Sequence, residues 1–200
     1  MFGGDQMKKY KIKKRRFILN IIVLVIIAVI FSKGFETYTQ AKNTSINKKI
    51  YNYLSEEGNQ REVYGTAIEL NQGSSENTCV YFISEVLRRN DFIVSKDTSN
   101  TSQLLSVLGA KGWKKQTNYK NLSAGDICFT TNVNGNEDSF PSHTYVFMKW
   151  VKEGNYDYAY ICDNQAKDYK DQVYHIRNIR VMAKANGFDK DAFAFFMKKA

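Results

Sequence analysis

The sequence is poor in the residues that most protein chemistry draws on. Its 200 residues hold two histidines, His143 and His175, three cysteines and one proline, Pro141. No two cysteines stand in a Cys-x-x-Cys spacing, and two histidines so far apart give little basis for a structural zinc site. No internal repeat and no low-complexity tract is present, which argues against a solenoid. Acidic residues are also scarce: 20 Asp and Glu face 29 Lys and Arg, for a net charge of +9. Residues 1–16 carry Lys8, Lys9, Lys11, Lys13, Lys14, Arg15 and Arg16 against Asp5 alone, +6 of that total, which leaves +3 for everything after them. The basic character belongs to a tail, so it is not the footprint of a nucleic-acid-binding face.

Charge is absent altogether from the stretch that follows. Phe17 to Phe31 is apolar except for Asn20, and extended through Ser32 to Phe35 it approaches the roughly 20 residues that a bilayer-crossing helix needs. The expectation is a single transmembrane helix over 17–35. The basic tail 1–16 stays in the cytoplasm and the remainder lies outside, as a single-pass protein of the cell membrane. A cleaved signal peptide is the competing view, with Ser32-Lys33-Gly34 as a weak small-x-small site; the length and apolarity of the core favour the uncleaved anchor. Residues 36–44 are polar and read as a tether. About ten extended residues reach at most about 35 Å, so the domain expected over 45–200 works close to the outer face of the membrane.

Export changes how three cysteines are read. In an oxidising compartment an odd number leaves at least one free or bonded between chains. Cys128 and Cys162 lie in apolar, strand-like runs, as core residues or as a bridge. Cys79 is the natural one left unpaired. It follows the polar stretch Ser74-Ser75-Glu76-Asn77-Thr78, in which Ser75 or Asn77 serves as N-cap. Cys79, Phe82, Ile83 and Val86 then keep helical spacing, with Glu85, Arg88 and Arg89 on the other side. A thiol in a helix first turn, facing inward, is placed for thiolate chemistry when an imidazole is near. The same position also suits a small buried hydrophobe.

Elsewhere the pattern predicts helices first and strands later. Ile46, Ile50, Tyr51 and Leu54 give a helix stopped by Gly58. A second helix covers about Arg61 to Leu70, and a short one carries Leu104, Leu105 and Leu108. Strands are predicted at Trp113–Thr117, after the Gly125-Asp126 turn, from His143 to Val151, over Tyr158–Asp163, and within Tyr174–Ile179 and Ala192–Met197. That order implies an α+β domain with helices packed on a meandering antiparallel sheet.

His143 opens a strand just after the polar loop Asn132–Ser142. If that strand pairs with the next one through the Gly154-Asn155 turn, then Asp163, Asn164 or Gln165 returns to its side. Any of the three is positioned to orient the imidazole. His175, placed mid-strand with no evident partner, reads as a structural or surface residue.

These stretches together resemble the papain-like cell-wall hydrolases of the CHAP and NlpC types. They are Cys79-Val80-Tyr81-Phe82, Gly125-Asp126-Ile127-Cys128-Phe129, Ser142-His143-Thr144-Tyr145-Val146 and Asp163-Asn164-Gln165. The resemblance covers about residues 61–166. It implies a papain-like fold, Cys79 as nucleophile, His143 as base, and Asp163 or Asn164 as the residue that orients it, with no metal or organic cofactor. Thr78 and Val80 beside the cysteine, and Thr144-Tyr145 after the histidine, depart from the usual pattern. The implied activity is cleavage of amide bonds in the peptides of peptidoglycan. Implied partners are that substrate, the membrane and other envelope proteins, with no nucleic acid. The alternative is an inactive domain of the same fold, serving as a wall-binding or scaffolding module; acyl transfer or cleavage of another peptide is a third reading.

Overall fold

A computed structural model of the chain describes residues 22–31, 33, 45–131 and 140–199. The chain divides into two units, Met1–Thr44 and Ser45–Ala200. In the first, residues 22–31 and 33 are helical, and the large apolar side chains from Ile22 to Phe31 are exposed. Among the described residues no helix is long and apolar enough to cross a membrane. The transmembrane helix expected over 17–35 extends beyond them at both ends, so the described fold does not contain it. The basic tail 1–16 and the tether 36–44 lie outside the described residues.

The second unit is α+β. Among its described residues four α-helices come first, α1 (Ile46–Leu54), α2 (Glu57–Leu70), α3 (Cys79–Arg89) and α4 (Thr101–Ala110). Eight strands follow: β1 (Trp113–Gln116), β2 (Ile127–Thr130), β3 (Thr144–Lys152), β4 (Asn155–Cys162), β5 (Tyr174–Asn178), β6 (Ala183–Ala185), β7 (Phe188–Lys190) and β8 (Phe193–Lys199). Six of them form one antiparallel sheet in the order β1-β8-β2-β3-β4-β5, while β6 and β7 make a separate hairpin. The β3–β4 pair is closed through the expected Gly154-Asn155 turn, with Lys152 opposite Asn155.

Side chains alternate across this sheet with the period of two that strand geometry imposes. Ile127, Phe129, Val146, Met148 and Cys162 face the helical layer, where Phe82, Ile83 and Val86 of α3 meet them. Cys128, Tyr145, Phe147, Ile161 and Phe196 face the other way, into a second cluster with Leu122 and Ile179. Cys128 and Cys162 therefore sit on opposite faces. All three cysteines are free, and the bridge that the sequence left open does not form.

Helix α3 is buried on more than one side. Its polar flank was expected to face solvent, yet Glu85 is buried, bonded to Arg88 Nε (2.8 Å) and Arg89 Nε (2.7 Å). Arg89 also reaches Glu62 of α2 at 2.7 Å, so the two helices are tied across that flank.

Gly58 does not stop a helix, contrary to expectation; α2 runs straight through it. The break falls at Ser55-Glu56, because the last carbonyls of α1 are taken there. Gln60 Nε2 donates to the Leu54 carbonyl (2.8 Å) and Asn59 Nδ2 to that of Tyr53 (2.9 Å). Carbonyls left over at a helix end need partners of this kind.

The Gly125-Asp126 turn docks α1 against the sheet. Asn47 Nδ2 donates to Asp126 Oδ1 (2.8 Å) and lies 3.3 Å from the Gly125 carbonyl, while the Ser123 amide donates to Asp126 Oδ2 (2.8 Å). Burial pushes the Asp126 carboxyl up to about 6, against the pull of those hydrogen bonds. Gly125 has φ +86°, and a Cβ there would overlap the Asn47 carbonyl, with its carbon at 2.6 Å. Gly125→Ala should therefore destabilise the domain by at least about 2 kcal/mol. Gly58→Ala, inside α2 with open space around it, should stabilise it by roughly 0.5–1 kcal/mol. Thermal unfolding followed by circular dichroism checks both signs.

Candidate active site

The site begins at the start of α3. Thr78, not Ser75 or Asn77, is the N-cap residue, and Asn77 takes a left-handed turn at φ +56°. Thr78 does not cap with its side chain. Its hydroxyl donates to the Ser75 carbonyl (2.9 Å) and accepts from Asn164 Nδ2 (2.9 Å). The first-turn amides of α3 are thus left without a side-chain acceptor, at the positive end of the helix dipole. Cys79 sits in that turn with 8% of its surface exposed.

His143 immediately precedes β3. Its carbonyl accepts from the Thr130 amide (3.1 Å), and the carbonyl of Pro141, two residues earlier, accepts from Thr101 Oγ1 of α4 (2.9 Å). The backbone that carries the ring is therefore held on two sides. His143 Nε2 lies 2.8 Å from Asp163 Oδ2, and the Cys79 thiol is close enough to the ring to help raise its pKa. A carboxylate only accepts, so Nε2 carries the proton and Nδ1 is left for the sulfur. Burial by itself would lower the His143 pKa. The hydrogen bonds and charges of Asp163 and Cys79 outweigh it, and the pKa is raised.

Asp163 is completely buried just past the end of β4. Burial would raise its pKa, but the positive charge available at His175, the His143 bond and charge, and Arg177 hold it well below the ordinary carboxylate range. Its Oδ1 accepts from the Gln165 amide at 2.8 Å.

Of the residues named from sequence, His143 and Asp163 are hydrogen-bonded to each other, and Cys79 lies close enough to the ring to act on its pKa. Asn164 points the other way. It bonds Thr78 and lies 3.5 Å from the Ser75 carbonyl, so it staples the turn after β4 to the start of α3 and does not touch the imidazole. Gln165 contributes its backbone. Residues 132–139, most of the polar loop that precedes His143, lie outside the described residues.

The sequence reading missed His175 and Arg177. Both are buried on β5, and His175 Nε2 stands 3.8 Å from Asp163 Oδ1. The available signal was their spacing of two, which puts them on one strand face together. It was masked because the intervening Ile176 is the exposed residue. The sequence also gave no weight to the β6–β7 hairpin. With Ser75, Asn77, Asn164 and Lys167, the hairpin's Phe188 and Lys190 line a polar groove of about 590 Å³ along the turn that leads into Cys79.

In comparisons with known proteins, no family model, no curated protein and no solved structure matches the chain.

The raised His143 pKa contributes stability that is full below about pH 6.5 and is lost as pH rises through the folded-state value. The depressed Asp163 pKa contributes stability present above about pH 4 and lost as pH falls further. Asp163→Asn should weaken both limbs of the stability profile and lower the His143 pKa by at least about one unit. Asn164→Ala should cost about 1 kcal/mol and leave the His143 titration in place. Unfolding at several pH values, with NMR titration of the histidines, separates the two residues.

Proposed function

We propose that the chain is a membrane-anchored, extracytoplasmic cysteine hydrolase of papain-like architecture that cleaves an amide bond in the peptide part of peptidoglycan. The observation that carries this reading is the hydrogen bond between the His143 imidazole and the buried Asp163 carboxylate, with the Cys79 thiol close enough to the same ring to help raise its pKa. Nucleophile, base and orienting group stand in the order that acyl-transfer chemistry requires. The basic tail and the apolar run after it support the anchor. The groove of about 590 Å³ beside the turn into α3 offers room for part of a peptide near the site, although neither Cys79 nor His143 lines it. The choice of wall peptide rests on the resemblance of these motifs to CHAP and NlpC-type hydrolases.

In this mechanism His143 Nδ1 accepts the thiol proton and the Cys79 sulfur attacks the substrate carbonyl carbon. The resulting oxyanion lies against the uncapped first-turn amides of α3, with the helix dipole behind them. His143 then gives its proton to the leaving amine, the C–N bond breaks and a thioester remains on Cys79. A water molecule, deprotonated by His143, attacks that thioester; the acid is released and the thiol is restored. Asp163 stays ionised throughout and fixes the tautomer of the ring.

The test is release of fragments from purified peptidoglycan by the full chain under reducing conditions, read by mass spectrometry for new amine ends. The wild type should release them and Cys79→Ala should release none. His143→Ala should be slowed by at least about a thousandfold. Failure of the wild-type protein to release any fragment would remove the hydrolase reading.

A further inference from the structure

Beyond Asp163, on the side away from His143, a second imidazole is left over. His175 and Arg177 lie on the same face of β5, opposite Ile161 and Ala159 of β4. The His175 ring is 4% exposed and stacks on Tyr169, with centroids 3.6 Å apart and an interplanar angle of 14°. Its Nδ1 is 3.1 Å from the Gln172 carbonyl. A carbonyl only accepts, so Nδ1 carries a hydrogen in either protonation state. In the neutral ring Nε2 is then a bare acceptor. It has no hydrogen-bond partner and faces Asp163 Oδ1 across 3.8 Å. The other oxygen of the same carboxylate is 2.8 Å from His143 Nε2. One buried carboxylate stands between two imidazoles, bonded to one and merely facing the other.

We propose that His175 is a positioning residue of this site whose proton decides how the Asp163 carboxylate is shared. Neutral, it leaves the carboxylate to His143. Protonated, its Nε2–H takes Oδ1 and draws the carboxylate away from His143, loosening the ring that faces Cys79. The groups around His175 set the order of events. Burial and the charges of Arg177 on its own strand and of His143 favour the neutral ring, while Asp163 at the end of β4 pulls the other way. Tyr169 covers one ring face. Asp168, on the same short turn, is matched by Lys190 at 2.6 Å. Burial prevails, and the His175 pKa is lowered while that of His143 is raised. His143 is therefore protonated first, and His175 follows only in acid. The site is intact at neutral pH and loses its orienting contact below the ordinary histidine range. The inference rests on Cys79, His143 and Asp163 being the reacting set, whichever amide is cleaved.

The chain contains only two histidines, so the full chain, labelled with ¹⁵N in histidine and purified without a histidine tag, reports four ring nitrogens. Titration from pH 8 to pH 4 should show His143 protonating first. Its Nε2 resonance should then move a second time at the midpoint of His175. In His143→Asn the carboxylate is freed, and the His175 midpoint should rise by about one unit, a tenfold gain in proton affinity. His175→Phe, which keeps a ring against Tyr169, should abolish the second step of His143. A single-step His143 curve in the wild type, or the same His175 midpoint with and without His143, overturns the proposal. Should His175→Phe not fold, the wild-type and His143→Asn curves decide alone. Coupled titrations in a protein that releases nothing from peptidoglycan would uphold this inference while removing the hydrolase reading.

Discussion

An ionised carboxylate with no exposure to solvent is costly, on the order of several kcal/mol before its partners are counted. Asp163 is such a group, and much of the domain's polar architecture can be traced to offsetting that cost. The His143 ring and the Gln165 amide each bring a donor to it at 2.8 Å, and His175 and Arg177 stand on the next strand. Those groups come from the start of β3, the turn after β4 and the middle of β5. The bond that compensates Asp163 also fixes which nitrogen of His143 carries its proton. Stability of the buried charge and orientation of the imidazole are therefore one interaction seen from two ends.

The neighbouring residue does a different job with the same economy of contacts. Asn164 engages the Thr78 hydroxyl, so the oxygen that would cap α3 is turned toward the sheet. The helix keeps its start through tertiary contact instead of a cap, and its first amides stay open beside Cys79. Adjacent residues on one turn thus divide the work. Asp163 fixes the His143 ring, and Asn164 fixes the helix that carries Cys79.

Much of this was legible in the sequence, and the limits were physical. The α3 helix, the β3–β4 turn and the placement of His143 at a strand start are local signals, and each appears where expected, although α3 is buried on both flanks and not on one. The choice among Asp163, Asn164 and Gln165 was not local, because it depends on which face each takes once β4 has ended. Gly58 was misread because the break depends on Gln60 and Asn59 reaching back to carbonyls of α1. The contact of His175 with Asp163 went unread because β5 is an edge strand with an inverted pattern, polar inward and Ile176 outward. The Asn186-Gly187 turn, with φ of +48° and +84°, is a strong hairpin signal. It was passed over because Ala183–Ala185 and Phe188–Lys190 lack the alternating apolar residues that mark a strand.

The same physics bears on whether the domain acts or only binds. Replacing a buried ion pair by well-packed apolar residues is often neutral or stabilising, so a scaffold gains little from holding a buried carboxylate against a buried imidazole. The other two cysteines give the contrast. Burial pushes the thiols of Cys128 and Cys162 well up, and each lies in an apolar cluster. Neither is paired with a histidine. Only Cys79 combines a helix start, uncapped amides and an oriented imidazole. A buried imidazole held by a buried carboxylate stands beside this one thiol and beside neither of the others, the distribution that the proposed chemistry calls for.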